Sequence, residues 1–241
     1  MKTMYGNKLI GKTCNIFCDA SIDTNHKIAC AGAIASDERA MNSISGLRMI
    51  QTNATNNSAE ILAVGLGIQL AMNIRSNGGQ IWEGGYTQFN IYSDSKIALF
   101  GIRDWIFNWA KTQSKRDACM FSSSGTPVKN QEYYKAIVKM VVDNNLYVNF
   151  FHQRGHINVN SNASLSEAYI DFVKDNRVRP EDLGVNFMQT VVYNNLVDEW
   201  SRAGITDPSI PVEMMRPANQ LRLSGKDMVT YGKLIKPRYT V

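Results

Sequence analysis

Asn15-Ile16-Phe17-Cys18-Asp19-Ala20-Ser21 is an apolar run closed by a carboxylate. Such a run reads as a buried strand. A charge at its end needs a partner, because an unpaired buried carboxylate costs several kcal/mol. A metal ion is one such partner, and a turn in which the Asp bonds nearby backbone is the plainer alternative.

The segments that follow give Asp19 its company. Asp23 to Lys27 is a polar turn, and Ala29 to Ala35 is a second strand of small residues, so the chain forms a hairpin. A third strand runs from Ile44 to Ile50 and ends in the polar loop Gln51 to Ser58, rich in residues that cap helices. From Ala59 a helix is expected, with Leu62, Leu66 and Leu70 on one apolar stripe. Glu60 falls in its first turn, off the stripe, where the helix dipole favours a negative charge. That placement suits either a surface Glu or a member of a metal site.

Asn77 to Gly85 reads as a Gly-rich loop, and Phe89 to Tyr92 as a short strand closed by Ser93-Asp94-Ser95. Ser95 is a plausible helix cap, so Asp94 stands between strand and helix, the usual place for sites in α/β folds. Two strand-end carboxylates and one at a helix start suit hard divalent cations, which prefer oxygen ligands. Further on, Trp105 and Trp109 share a helix face. With Lys111, Lys115 and Arg116 behind them they offer stacking beside phosphate-binding charge, or else a Trp pair packed between helices. Gln131 to Asp143 is an amphipathic helix, and Tyr147 to Phe151 is a strand running out to Gly155-His156.

Composition bounds the function classes. With 241 residues, 44% hydrophobic and 20% charged, the chain can bury a sizeable core in one or two domains. A net charge of +5 is compatible with a polyanionic partner without requiring one. The start of the sequence lacks the apolar run of a signal peptide, and no stretch reaches the ~18 apolar residues of a membrane span. A cytoplasmic protein with no membrane partner is therefore expected. Cys14, Cys18, Cys30 and Cys119 lack CxxC spacing, which favours buried thiols over zinc ligands or disulfides.

Taken together and in order, these blocks resemble the type 1 ribonuclease H family. They are Cys-Asp-Ala-Ser (18–21), Thr-Asn-Asn-Ser-Ala-Glu (55–60), Tyr-Ser-Asp-Ser (92–95) and Gly-Ile-Arg-Asp-Trp-Ile-Phe-Asn-Trp (101–109). Pro-Val-Lys-Asn (127–130), Arg-Gly-His (154–156) and Asn-Asn-Leu-Val-Asp-Glu (194–199) close the set. The resemblance covers residues 12–204 and implies an α/β ribonuclease H-like fold. Its five-stranded mixed sheet has three antiparallel strands followed by two parallel ones, flanked by helices.

The resemblance also implies a chemistry. Asp19, Glu60, Asp94 and Asp198 become four metal-binding carboxylates, holding two Mg2+ ions with Mn2+ possible. His156 lies on a loop beside them, to shuttle a proton or help product leave. Two ions held close together suit an in-line phosphodiester displacement. By itself Asp198 would read as a surface Asp at the start of a helix. His156 would read as a solvated loop residue, or as a chelating pair with His152. For the substrate, an RNA/DNA hybrid, the resemblance places Thr55 and Asn130 at a DNA phosphate. Asn56 and Asn57 lie near the minor groove, Asn194 is a further nucleic-acid-binding residue, and Trp105 and Trp109 lie along the DNA channel. Amides reading a shallow minor groove suit a hybrid, which is recognised by shape and 2′-hydroxyls. A monomer is expected.

Three departures stand out. Ala20 replaces the family's usual Gly, Asn53 stands where some members carry a phosphate-binding Arg, and residues 157–193 separate His156 from Asn194 where the family needs only a few. Within this insertion, Ser164 to Asp175 reads as a short helix that either packs on the body or forms a lid, with Lys174, Arg177 and Arg179 available to phosphates. Residues 205–241 form a basic C-terminal extension that either wraps nucleic acid or packs through Met214, Met215, Leu221, Leu223 and Met228. Two rival functions remain: a related nuclease acting on DNA, such as a junction resolvase, and a hybrid-binding module without catalysis. The Trp pair and Pro-Val-Lys-Asn argue against the first, and the four carboxylates against the second.

Overall fold

The computed structural model describes residues 13–36, 44–76, 88–213 and 221–236. The Gly-rich segment 77–85, together with Met214, Met215, Arg216, Pro217 and Arg238 of the extension, lies outside them.

Strand β1 (Thr13–Asp23) is the middle of the sheet because it is apolar on both faces. Cys14, Ile16 and Cys18 enter one core cluster and Phe17 another, as the two-residue period of a strand requires. The antiparallel strands β2 (Ile28–Ser36) and β3 (Ile44–Thr52) flank it on one side. The parallel strands β4 (Gln88–Ser93) and β5 (Val148–His152) flank it on the other, in the order β3-β2-β1-β4-β5. This is the expected mixed sheet, with strand limits within a residue or two of those read from the sequence.

Register in the parallel half is fixed by polar side chains. Asn15, Asn90 and Asn149 occupy one row across β1, β4 and β5. Asn149 Nδ2 donates to Asn90 Oδ1 at 2.8 Å, and Asn90 Nδ2 donates to Asn15 Oδ1 at 3.2 Å. A slip of one residue would leave these buried amides unpaired, at about 1–3 kcal/mol each.

One face of the sheet is covered by α1 (Asn56–Ser76) and α4 (Gln131–Asp143), whose apolar residues join the larger cluster. Helix α1 starts at Asn56, three residues before the expected start. Thr55 caps it by accepting from Ser58 N at 3.2 Å, and Glu60 consequently lies in the second turn rather than the first. Between β4 and α4 the chain runs helically through α2 (Lys96–Phe100), a wider π turn (Gly101–Trp105) and α3 (Ile106–Trp109). At Gly101 a Cβ would strike the Tyr134 ring, so glycine is what lets this turn lie against α4.

The opposite face carries α5 (Asn162–Asn176) and α6 (Phe187–Gly204), joined by the single turn Pro180–Leu183. Phe172 of α5 and Val197 of α6 pack with Phe17, Tyr92 and Phe151 of the sheet. Residues 157–193, expected as an insertion, thus supply α5 and the first turns of α6 and extend the core over β4 and β5. Asp198 sits well inside α6, which corrects its expected position at a helix start: the seven residues from Phe187 to Tyr193 are helical too.

The extension packs on the body in its described parts. Pro211 O accepts from Ile50 N at 2.9 Å, and Glu213 N donates to Ile50 O at 2.7 Å, along β3. Helix α7 (Gly225–Leu234), closed at its start by a Ser224–Asp227 capping box, buries Tyr231 and Leu234 in the larger cluster. No described helix is long and apolar enough to cross a membrane.

Candidate metal centre and nucleic-acid interface

Asp19 stands on β1 opposite Gly32 of β2, and Asp94 immediately follows the neighbouring parallel strand β4. Glu60 reaches the same point from the second turn of α1. Each of the three offers a carboxylate oxygen, and these oxygens lie within 4.8 Å of one another.

Small residues make this convergence possible. At Gly32 a Cβ would collide with the Ser201 hydroxyl of α6, which donates to the Asp19 main-chain O at 3.2 Å. At Gly155 a Cβ would fall on the Asp94 carboxylate, so glycine alone lets the His156 loop cross beside it. The sequence reading gave neither glycine a role of its own, Gly155 entering only as part of the Arg-Gly-His block. The signal was available in Arg154-Gly155-His156 and in the run of small residues along β2.

The electrostatics are those of a site built for a cation. Burial, then the charges of Asp94 and Asp198, push the Asp19 carboxyl up to about 8, against the pull of the Ala20 N–H. Burial, then Asp19, Asp94 and Asp198, raise Glu60 well above the usual carboxylate range. Burial also raises Asp94, while His156 opposes it. Glu60 Oε2 is buried and accepts no hydrogen bond from the described residues. A buried, unpartnered carboxylate oxygen facing two more carboxylates fits a hard divalent cation, whose charge removes the repulsion.

Asp198 is not in that group of three. Its two oxygens accept from Arg202 at 2.9 and 2.8 Å, and Oδ2 is 3.5 Å from His156 Nδ1. It borders the cluster closely enough for its charge to act on Asp19, Glu60 and Asp94. His156 is 74% exposed and holds a left-handed backbone, φ 53°. The chelating pair with His152 is not formed. His152 is buried, with Nδ1 2.8 Å from Asp175 Oδ2 and Nε2 3.1 Å from the Asp94 main-chain O. Ser201 and Asp175 were missed because each acts through tertiary contacts with no local pattern, and Arg202 because its i,i+4 pairing with Asp198 looks like any surface helix pair.

The expected nucleic-acid contacts divide by exposure. Thr55, Asn56 and Asn57 are exposed at the start of α1, and Asn130 precedes α4 in a left-handed conformation, φ 55°. Trp105 is 42% exposed. Trp109 is half-buried, its ring 5.8 Å from Trp105 and 5.2 Å from Tyr134, so one ring of the pair is available and the other is packed. Asn194 is 1% exposed on α6 and stands in the interior, away from solvent. Arg179 pairs with Asp182 at 2.9 Å, so it is not the free cation expected of the insertion.

The family model for RNase H matches residues 11–168. The chain belongs to the RNase H family. Curated RNase H relatives match over shorter stretches. A ribonuclease HI of Haemophilus influenzae is 47% identical over 47 residues, 20% of this chain and 27% of that protein. A ribonuclease H of Treponema denticola is 29% identical over 91 residues, 36% of this chain and 52% of the relative. The chain thus spans about a quarter to a half of the curated relatives it matches. Among solved structures, the N-terminal RNase H domain of a Mycobacterium tuberculosis protein is 16% identical, with a TM-score of 0.41, covering 68% of this chain and 97% of that one. The family match ends inside α5, so it takes in the first residues of the expected insertion and leaves residues 169–241 unmatched.

Proposed function

We propose that this chain is a metal-dependent endoribonuclease that cuts the RNA strand of RNA/DNA hybrids. The observation that carries the reading is the meeting of Asp19, Glu60 and Asp94, with a buried Glu60 oxygen left without a protein partner. Family membership and the curated ribonuclease H relatives support it.

Asp19, Glu60 and Asp94 hold Mg2+, with Mn2+ able to substitute, and Asp198 completes the site at its border. When bound, two such ions supply the positive charge that stabilises an in-line phosphodiester displacement and activates water. The chain's own residues do the rest. Ser201 and the Ala20 N–H orient Asp19. His156, exposed and 3.5 Å from Asp198, moves a proton at its imidazole nitrogen on the solvent side of the site. Thr55, Asn56, Asn57 and Asn130 present short polar side chains at two helix starts, suited to phosphates and to a shallow minor groove. Trp105 offers an exposed ring for one strand.

The test is cleavage of labelled RNA/DNA hybrid, duplex DNA and branched DNA in magnesium, with and without EDTA. Cutting of the hybrid's RNA strand alone, abolished by EDTA, is expected. Cleavage of branched or duplex DNA instead would make the protein a DNA nuclease, and hybrid binding without cleavage would make it a binding module.

A further inference from the structure

A cavity of about 580 Å3 opens between the π turn that carries Trp105 and the C-terminal end of the inserted helix α5. Its size falls within the ~300–1,000 Å3 of ordinary ligand sites. Its charge is unbalanced. Of its acidic groups, Asp104 pairs with Arg103 at 3.1 Å, and Asp175 pairs with Lys96 at 3.0 Å and meets His152. Arg103 is further occupied by the main-chain oxygens of Phe150 and Asp175, at 3.3 and 3.5 Å. Lys174 and Arg177 are exposed and make no ion pair among the described residues. Two free cations therefore share a cavity with the exposed face of Trp105.

A helix C-terminus attracts cations for its own sake, at about 0.3–1 kcal/mol. That accounts for Lys174 but not for the geometry at Arg177, which closes α5 with a left-handed φ of 57°. Glycine takes this position most easily, and any other residue there costs on the order of 1 kcal/mol. Arginine at this corner carries a guanidinium to the cavity rim. Two unpaired cations beside a half-exposed indole fit one class of ligand, a nucleotide unit of a nucleic-acid strand. Its phosphate meets the cations and its base meets the ring.

We infer that this cavity binds a strand of the substrate beyond the metal centre, with Lys174 and Arg177 on phosphate and Trp105 on a base or sugar. The inference rests on the nuclease reading for the identity of the substrate, and the DNA and RNA strands offer the same chemistry. The experiment measures affinity against salt for the full chain and its Lys174→Ala/Arg177→Ala double variant, in calcium so that cleavage does not intervene. Three probes are used: a short blunt hybrid, and the same hybrid extended by single-stranded DNA or by single-stranded RNA. On the strand that enters the cavity, the double variant should lower the slope of log affinity against log salt by about 1.4–1.8 units, at ~0.7–0.9 per phosphate. Trp105→Ala should lower affinity for the same probe with the slope unchanged. Equal slopes for parent and double variant on all three probes, with unchanged melting temperatures, would overturn the inference. Hybrid cleavage by the parent in magnesium is scored separately. A parent that cuts while the slopes coincide loses only the cavity assignment. A parent that never cuts loses the nuclease reading, whatever the slopes show.

Discussion

Asp175 Oδ2 stands 2.8 Å from Nδ1 of His152. Through this contact α5 reaches the carboxylate cluster, because the other ring nitrogen of His152 lies 3.1 Å from the main-chain O of Asp94. Asn176, the next residue, donates to His152 O and accepts from His152 N, both at 2.8 Å. The end of α5 therefore sets where β5 and the Asp94 corner lie relative to each other.

Loss of that support should move Asp94, and a misplacement of ~1 Å at a reacting centre costs up to ~100-fold. We expect Asp175→Ala to lower kcat by roughly tenfold with KM little changed, and to cost about 1–3 kcal/mol of stability. Asp175→Asn, which keeps the shape, should recover part of kcat. Steady-state kinetics beside thermal melts decide it: a parental kcat with a lowered melting temperature would leave Asp175 a purely structural residue.

The two tryptophans should separate. Trp109 packs on Tyr134, so Trp109→Ala is expected to cost about 2 kcal/mol in unfolding, below the ~3–5 of a fully buried ring. Trp105→Ala should leave stability within ~0.5 kcal/mol, as at other exposed sites, and weaken hybrid binding several-fold. Matching stability losses in denaturant titrations would show that both rings are core.

The C-terminal extension is wired to the starts of α1 and α4. Tyr133 donates to Glu213 Oε2 at 3.2 Å and accepts from Gln51 Nε2, while Ser58 donates to Gln51 Oε1 at 3.1 Å and helps cap α1 with Thr55. Tyr133→Phe leaves the buried Gln51 without that acceptor, and a loss of about 1–3 kcal/mol is expected. If Thr55 and Asn130 hold phosphate, hybrid affinity should also fall while kcat stays within twofold. Unchanged affinity would detach this network from substrate binding.

The carboxylate cluster predicts an inverted pH response for the metal-free protein. Asp19 is raised to about 8 by burial and by its acidic neighbours, so between its ordinary value near 3.8 and 8 the folded state binds more protons than the unfolded one. Stability must then fall as pH rises through that window. Thermal melts in EDTA should show the midpoint climbing from pH 8 to pH 5, and saturating magnesium should flatten the trend. A midpoint that rises with pH in EDTA would mean that the cluster is not the strained element.

Much of this was legible in sequence because it is local. The strands follow from runs of apolar residues between turn residues; Asp94 was marked by following a strand end, and Asp19 by being a charge in an apolar run, although β1 continues past it to Asp23 and so does not end there as expected. What the sequence did not show is non-local. Residues Phe187 to Tyr193 continue α6 toward its start, and their helical pattern was hidden by the expectation that the helix starts near Asp198. Asp198 is held by Arg202, four positions on, a spacing that any surface pair shows. Asn15, Asn90 and Asn149 form a row only once β1, β4 and β5 are aligned, and Arg179 was counted as free because nothing local distinguishes Asp182 as its partner from a solvated neighbour.

The most direct measurement is the comparison of Asp94→Asn with the parent on one RNA/DNA hybrid in millimolar magnesium, reading cleavage and binding together. The substitution removes one carboxylate oxygen of the cluster, a metal ligand in the proposed reading, and one negative charge. The expected result is cleavage lowered by at least ~1,000-fold, the ~4 kcal/mol that strong electrostatic stabilisation supplies, with hybrid affinity equal to the parent's or tighter. Cleavage within tenfold of the parent would contradict a metal centre built on Asp19, Glu60 and Asp94.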